Sequence, residues 1–318
     1  MTEVMDFEAA RRRIEPHVRR TPLIPGAPLL EVPRAGPARL SLKLENLQVT
    51  GSFKARGAVN RVLSLPPDQA AHGLVTASGG NHGLGIAYAG WIIGAPVTIY
   101  LGANVPPAKA EKLELWGART IWEGAVWDDA DRAAQEAARR DGLTYVHAFD
   151  DPAVIAGQGT LALEILEDAP DVDLLLVAIG GGGLSAGVST AVKALAPHVR
   201  VVGVEPVGAP TLFESLRAGQ PVELPEVRTR ANTLAPRRSA ELNFRLIRDH
   251  VDEIVLVDDD EMVHAARWLW FEMGVASELA GAAAVAALLS GRVQATGFQH
   301  ACAVICGAGT DGLPPSLP

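Results

Sequence analysis

Short runs of aliphatic and β-branched residues alternate along this chain with longer segments whose apolar positions recur three and four apart, and this alternation constrains the fold more than any other feature. From about residue 72 onward it has the signature of crossover units and a largely parallel sheet. Strands are expected at LSLKLEN (40–46), GLVTAS (73–78), PVTIYLG (96–102), RTIWEG (119–124), TYVHAF (144–149), DLLLVAIG (173–180), VVGVEP (201–206), EIVLVD (253–258) and ACAVICG (301–307). Several are apolar throughout, as strands must be when both faces of their sheet are covered. The stretches PPAKAEKLELWG (106–117), DDADRAAQEAARRDG (128–142) and GTLALEILEDA (159–169) read as helices with Gly or Pro at their ends. Residues 206–240, rich in Pro, Gly and Arg, read as surface loop with one short helix.

At 318 residues, 48% apolar and 20% charged, the chain suits one large α/β domain or two interlocked ones. Its formal charge of −9 argues against nucleic-acid partners, which need a basic stripe to displace counterions. The Arg pairs at 19–20 and 139–140 fit solvated helix faces. The start, MTEVMDFEAARRRIEPHVRR, has early acidic residues and no apolar core of signal-peptide length, so it reads as an amphipathic helix. No run approaches the ~20 apolar residues of a membrane span. Cys302 and Cys306, the only cysteines, form neither a disulfide framework nor a zinc set. A soluble protein in a reducing cytoplasm, without membrane or nucleic-acid partners, is the expectation.

Four segments carry chemistry. In GSFKARGAVN (51–60) a strand ends and a helix begins, with Ser52 as a candidate N-cap and Lys54 in the first turn. A cation there opposes the helix dipole by about 0.3–1 kcal/mol, whereas a neutral imine-forming amine suffers less. On position alone, an exposed surface lysine explains it as simply. In ASGGNHGLGIAYAG (77–90) a Gly-rich turn carrying Ser78, Asn81 and His82 leads into a helix, and exposed N–H groups at such a junction form an anion site. In DLLLVAIGGGGLSAGVS (173–189) a buried strand delivers four glycines, Gly180 to Gly183, to a helix start, where a phosphate can approach bare main chain. With Glu205 at the end of the next strand, that segment also imitates a dinucleotide-binding fingerprint, and alone it does not decide between the two. In ACAVICGAGTDG (301–312) the last strand ends at Cys306 and runs into glycines; a buried thiol filling space is the plain alternative.

Taken in order, SFKARGA, SGGNHG, GGGGL and a late strand ending in CGAG resemble the pyridoxal-phosphate enzymes of fold type II, in the serine/threonine dehydratase branch, over nearly the whole chain. A nicotinamide protein has no use for the lysine after Phe53 or for the Asn81 turn. The resemblance implies an α/β fold like that of tryptophan synthase β, with two open, twisted, mostly parallel sheets flanked by helices. It implies a large cofactor domain from residues 1–70 and 149–318 and a small mobile domain inserted at 71–148. It further implies that Lys54 carries pyridoxal 5′-phosphate as a Schiff base, Phe53 packs beside the ring and Asn81 bonds the ring hydroxyl. Gly180, Gly181, Gly182, Gly183 and Leu184 would hold the phosphate, and Cys306 would face the pyridine nitrogen. Ser78, Gly79, Asn81 and His82 would bind the substrate carboxylate. A neutral partner such as Cys306 leaves the pyridine nitrogen largely unprotonated, a weaker electron sink that suits prompt β-elimination.

The implied reaction is dehydration and deamination of a small β-hydroxy amino acid, such as L-threonine or L-serine, to a 2-oxo acid and ammonia: an ammonia-lyase, with a homodimer as its expected assembly. Serine racemases of the family place a second serine where Gly79 stands, and glycine cannot donate that proton. Some relatives bind a divalent cation, Mg2+ or Ca2+, through a glutamate, a carbonyl four residues on and a carboxylate two further. Here that series is Glu205, Ala209 and Thr211, which lowers the expected affinity. Asn232 stands where dehydratases commonly carry an acid, Leu279 where proline is frequent, and Glu278 either near the ring or as a charge at a helix start. The chain stops soon after the ring-nitrogen strand, so feedback inhibition by isoleucine is not expected. A serine racemase, a 3-hydroxyaspartate dehydratase, a β-replacement synthase and a non-catalytic cofactor binder stay open, as does, more distantly, a nicotinamide-binding oxidoreductase.

Overall fold

The computed structural model describes residues 5–33 and 35–312. The strands are β1 (Leu23–Pro25), β2 (Arg39–Lys43), β3 (Leu74–Ala77), β4 (Val97–Leu101), β5 (Arg119–Trp122), β6 (Thr144–Tyr145), β7 (Leu174–Ala178), β8 (Arg200–Pro206), β9 (Glu253–Val257) and β10 (His300–Val304). All but β1 overlap runs the sequence marks; β3, β4, β8 and β9 agree to within a residue at either end, whereas β2, β5, β6, β7 and β10 stop two to four residues sooner than expected. β1 is three residues long, pairs antiparallel with β2 and ends in a proline, so it is too short to show a period and sits where proline is tolerated, at a sheet edge. No helix among the described residues is long and apolar enough to cross a membrane.

The chain divides into two compact units. One comprises Arg20–Phe53 and the residues from Gly159 onward, around a sheet of order β1-β2-β10-β7-β8-β9. Apart from β1 its strands are parallel. β7 and β10 lie side by side and are buried along their whole length, which explains their unbroken apolar runs. The Ala-rich helix Leu279–Leu289 is buried at every position from 279 to 288 and packs on β7, β8, β9 and β10. At the end of β2, Lys43 is fully buried and donates to Glu164 Oε2 at 2.7 Å and to the Thr21 carbonyl at 2.8 Å. A buried cation needs such paired partners, because an unpaired one costs several kcal/mol, of the order of ~3–5 when a partner is removed.

The other unit comprises residues up to Arg19 together with Lys54–Gln158, around the all-parallel sheet β5-β4-β3-β6. The sheet falls inside the 71–148 segment expected to form the small domain, but the unit also takes in the helix Lys54–Leu63 and the start of the helix Pro152–Asp168. Close backbone approach is the reason. A Cβ on Gly85, in the helix Asn81–Ile93, would stand 3.2 Å from the Lys54 carbonyl, so that helix lies directly on the main chain at Lys54. A Cβ on Gly157 would stand 2.6 Å from the Arg56 carbonyl and 2.7 Å from Gly57 Cα.

Gly57→Ala therefore places a methyl 2.3 Å from Gln158 Nε2 and 2.7 Å from the Val154 carbonyl. The thermal unfolding midpoint should fall, by a loss of about 1–3 kcal/mol, although alanine gains about 1 kcal/mol in helix propensity. A variant as stable as the parent would show that these helices can part without cost.

Candidate functional site

Lys54 opens the helix Lys54–Leu63, and its Nζ donates to the Ala148 carbonyl at 2.9 Å. That carbonyl belongs to a braced turn just past β6. The Val146 carbonyl accepts from Thr76 Oγ1 at 2.9 Å and from His82 Nε2 at 3.0 Å, and His147 Nδ1 accepts from the main-chain N–H of Phe149 and Asp150 at 3.2 and 2.8 Å. Because a carbonyl can only accept, His82 carries its proton on Nε2. Burial, and next the charge of Lys54, push His82 down to about 3. Burial also lowers His147, the Lys54 charge adds to this, and Asp150 and Asp131 oppose it. Both imidazoles beside the lysine are thus held neutral.

The SGGNHG turn joins β3 to the helix Asn81–Ile93, whose N-terminus no side chain caps. Its first intrahelical bond runs from Leu84 N–H to the Gly80 carbonyl at 3.1 Å, so the N–H groups of Asn81, His82 and Gly83 precede the helical ladder. Ser78 Oγ accepts from Gly80 N–H at 3.2 Å. The ring of His82 is engaged with Val146 and Thr76 instead. Gly79 faces Val105: a Cβ there would stand 2.5 Å from Val105 Cγ1 and 2.9 Å from Cγ2.

In the other unit, β7 runs through Ile179 into Gly180–Gly183. A Cβ on Gly180 would stand 2.9 Å from the Thr233 carbonyl and 3.1 Å from Leu234 Cα, so the strand leaves the sheet where only glycine fits. Gly182 has φ +92°, a left-handed conformation that side chains resist, and a Cβ on it would meet Ile247 and Leu212, each at 2.9 Å. The helix Gly183–Leu195 has no side-chain cap, and its bond from Ala186 N–H to the Gly182 carbonyl at 2.8 Å leaves Gly183, Leu184 and Ser185 N–H ahead of the ladder. The Gly181 carbonyl is tied to Asn243 Nδ2 and Ser239 Oγ. Phe53 N–H donates to the Cys306 carbonyl at 3.1 Å, and the buried Cys306 thiol donates to the Ala280 carbonyl at 3.5 Å.

Glu205 is fully buried, and its two oxygens accept from Leu212 N–H and Phe213 N–H, each at 2.8 Å, at the start of the helix Thr211–Ala218. Burial pushes this carboxyl up to about 8 against the pull of those two donors. Thr211 Oγ1 donates to the Pro236 carbonyl. Both side chains of the expected cation series are thus engaged within the protein, and the described residues hold no cluster of three or more His, Cys, Asp or Glu that could grip a metal. Nor is Glu205 turned outward as a ribose acceptor. Glu278 stands at the N-cap of Leu279–Leu289 without a side-chain capping bond; Asp311 accepts from Leu279 N–H instead. His147, Ala148, Asn243 and Asp311 are the residues that sequence reasoning passes over.

The profile of the family described as pyridoxal-phosphate dependent enzyme matches residues 14–307. The chain belongs to that family. An L-threonine ammonia-lyase of Thermotoga maritima is 41% identical over 290 residues, 91% of this chain and 72% of the relative. The structure is similar to that of maize serine racemase, with a TM-score of 0.90 at 33% identity over 95% of this chain and 92% of that one. It is also similar to the processed form of threonine deaminase isoform 2 from Solanum lycopersicum, with a TM-score of 0.87 at 31% identity over 96% and 85%. The fold is therefore type II, two mostly parallel sheets flanked by helices, and the nicotinamide reading of residues 180–205 falls. The Gly180–Gly183 turn fits the phosphate of the family's cofactor: it is side-chain-free, closed behind by Leu234, Leu212 and Ile247, and lined by helix N–H groups.

Since His82 is neutral when folded and takes up a proton near its ordinary value of 6.5 when unfolded, its contribution to stability is complete above that pH and is lost as pH falls toward about 3. The slope from this residue is about 1.4 kcal/mol per pH unit. Urea unfolding of His82→Gln between about pH 7 and 4.5 should give a shallower acid dependence than the parent. Identical slopes would show that His82 is not held neutral.

Proposed function

We propose that the protein deaminates a small β-hydroxy amino acid, L-threonine or L-serine, by β-elimination of water followed by hydrolysis, which takes one water back up as ammonia leaves and gives a 2-oxo acid; it acts as a cytoplasmic homodimeric lyase that uses pyridoxal 5′-phosphate bound at Lys54. When bound, that cofactor supplies an electron sink that acidifies the α-proton of an attached amino acid. The observation that carries the reading is the Lys54 amine at a helix start, resting on the neutral Ala148 carbonyl beside two histidines held neutral. A carbonyl orients the amine without adding the negative charge that would pin its proton, as a group that must alternate between nucleophile and base requires. Names of relatives support the chemistry: L-threonine ammonia-lyases of Thermotoga maritima and Geobacter sulfurreducens, 41% and 40% identical.

The remaining roles follow the chemistry of each group. Lys54 Nζ takes the α-proton, and the Ala148 carbonyl steadies the ammonium that results. The N–H groups at 81–83 receive the substrate carboxylate, with Ser78 shaping the turn, while His82 acts from behind by fixing Val146. Asn81 holds the ring hydroxyl, Phe53 packs beside the ring, and Gly180 to Leu184 take the phosphate. Cys306 presents a neutral sulfur to the pyridine nitrogen. No divalent cation is required, because Glu205 already serves as a cap for the helix Thr211–Ala218 and Ala209 would offer only a carbonyl.

Release of 2-oxo acid should be seen with threonine or serine and be indifferent to magnesium or chelator, and Lys54→Ala should lower it by about 10²–10⁴-fold. Product formation from neither amino acid by the cofactor-loaded protein would defeat the assignment.

Racemisation is disfavoured twice at Gly79, which lacks a hydroxyl and has Val105 in the space one would occupy. Gly79→Ser alone should yield no serine racemase activity, whereas Gly79→Ser with Val105→Ala makes room for the hydroxyl and should yield some. Chiral analysis of recovered serine reads both; racemisation by the single variant would refute the steric argument.

A further inference from the structure

Two side chains from outside the glycine turn converge on one of its main-chain atoms. Asn243 Nδ2 donates to the Gly181 carbonyl at 2.6 Å and Ser239 Oγ donates to it at 3.0 Å. Ser239 lies just before the helix Glu241–His250 and Asn243 in its first turn. Asn243 is fully buried, and the Cβ that Gly182 lacks would fall 3.2 Å from Asn243 Cβ, so the helix is pressed against the turn.

A trans peptide points its C=O and N–H in opposite directions. With the Gly181 carbonyl tied to Asn243 and Ser239, the N–H of Gly182 must point away from them. The next peptide is tied as well: the Gly182 carbonyl accepts from Ala186 N–H at 2.8 Å and from Ser185 Oγ at 3.1 Å, which sends Gly183 N–H out of the helix start. Gly182, at φ +92°, is the joint between the two planes. A peptide within a glycine run turns over at little cost, and one that did so would show an anion its carbonyl oxygen instead of its N–H.

We propose that Asn243 and Ser239 are positioning residues for the phosphate of the cofactor, locking the Gly181–Gly182 peptide so that its N–H faces the anion. The inference rests on reading Gly180–Leu184 as the phosphate seat. A buried asparagine that merely satisfies its own hydrogen bonds would affect stability but would not distinguish one cofactor form from another.

The discriminating measurement is binding of pyridoxal 5′-phosphate and of pyridoxal, which lacks the phosphate, to the apoprotein, followed by the absorbance of the bound cofactor. Asn243→Ala should weaken the phosphorylated form about tenfold, the effect of losing one well-made hydrogen bond, and leave pyridoxal within about twofold. Ser239→Ala, which removes a single hydroxyl, should act in the same direction by about threefold and decides the matter by the same ratio should Asn243→Ala fail to fold. If the substitutions weaken both forms equally, or neither, the positioning role is wrong. If the unsubstituted protein shows no preference for the phosphorylated form, the phosphate-seat reading itself falls and takes this proposal with it.

Discussion

Main chain can serve as a binding surface only where nothing projects from it and something rigid stands behind it. The glycine turn after β7 meets both conditions: Leu234, Leu212 and Ile247 stand close behind it, and Gly182 makes the left-handed bend that releases the following N–H groups. The buried parallel sheet is the foundation of this arrangement. β7 is held between β10 and β8, so its C-terminal end is fixed in position before the chain breaks into glycines. The same device recurs in the other unit, where Gly85 lets a helix rest on the backbone of Lys54.

Much of this was legible from residue order. Long apolar strands and periodic helices announce themselves because burial on both faces, or on one, leaves a pattern over many residues. The junctions at Lys54, Ser78–His82 and Gly180–Gly183 were legible too, since Gly-rich segments between a strand and a helix have few other uses. What could not be read depends on contacts between distant segments. The helix Pro152–Asp168 begins well before GTLALEILEDA because Gly157, which looks like a break in sequence, is the point where another helix touches it. The unit containing Lys54 extends beyond the 71–148 insertion for the same reason. His82 looks like a ligand-facing residue of a binding turn, yet burial turns its ring to the Val146 carbonyl. Asn243 sits in the segment ELNFRLIRDH, where nothing distinguishes it from a surface amide.

Charge is handled differently in the two units. Lys43 lies far from water, paired with Glu164 and the Thr21 carbonyl, an arrangement suited to permanence. Lys54 rests on a carbonyl beside neutral imidazoles. Lys43 closes β2 and Lys54 opens a helix, and their surroundings differ: an ion pair for the one, a main-chain carbonyl for the other.

The Glu205 carboxylate has a consequence for anyone wishing to retrofit ion dependence onto this scaffold. Exchanging Thr211 for an acid would complete the ligand count on paper, but Glu205 already has both oxygens committed to Leu212 and Phe213 N–H, and the Thr211 hydroxyl is anchored to Pro236. The helix itself occupies the coordination sphere. A redesign would have to unwind that first turn before an incoming ion found anything to hold.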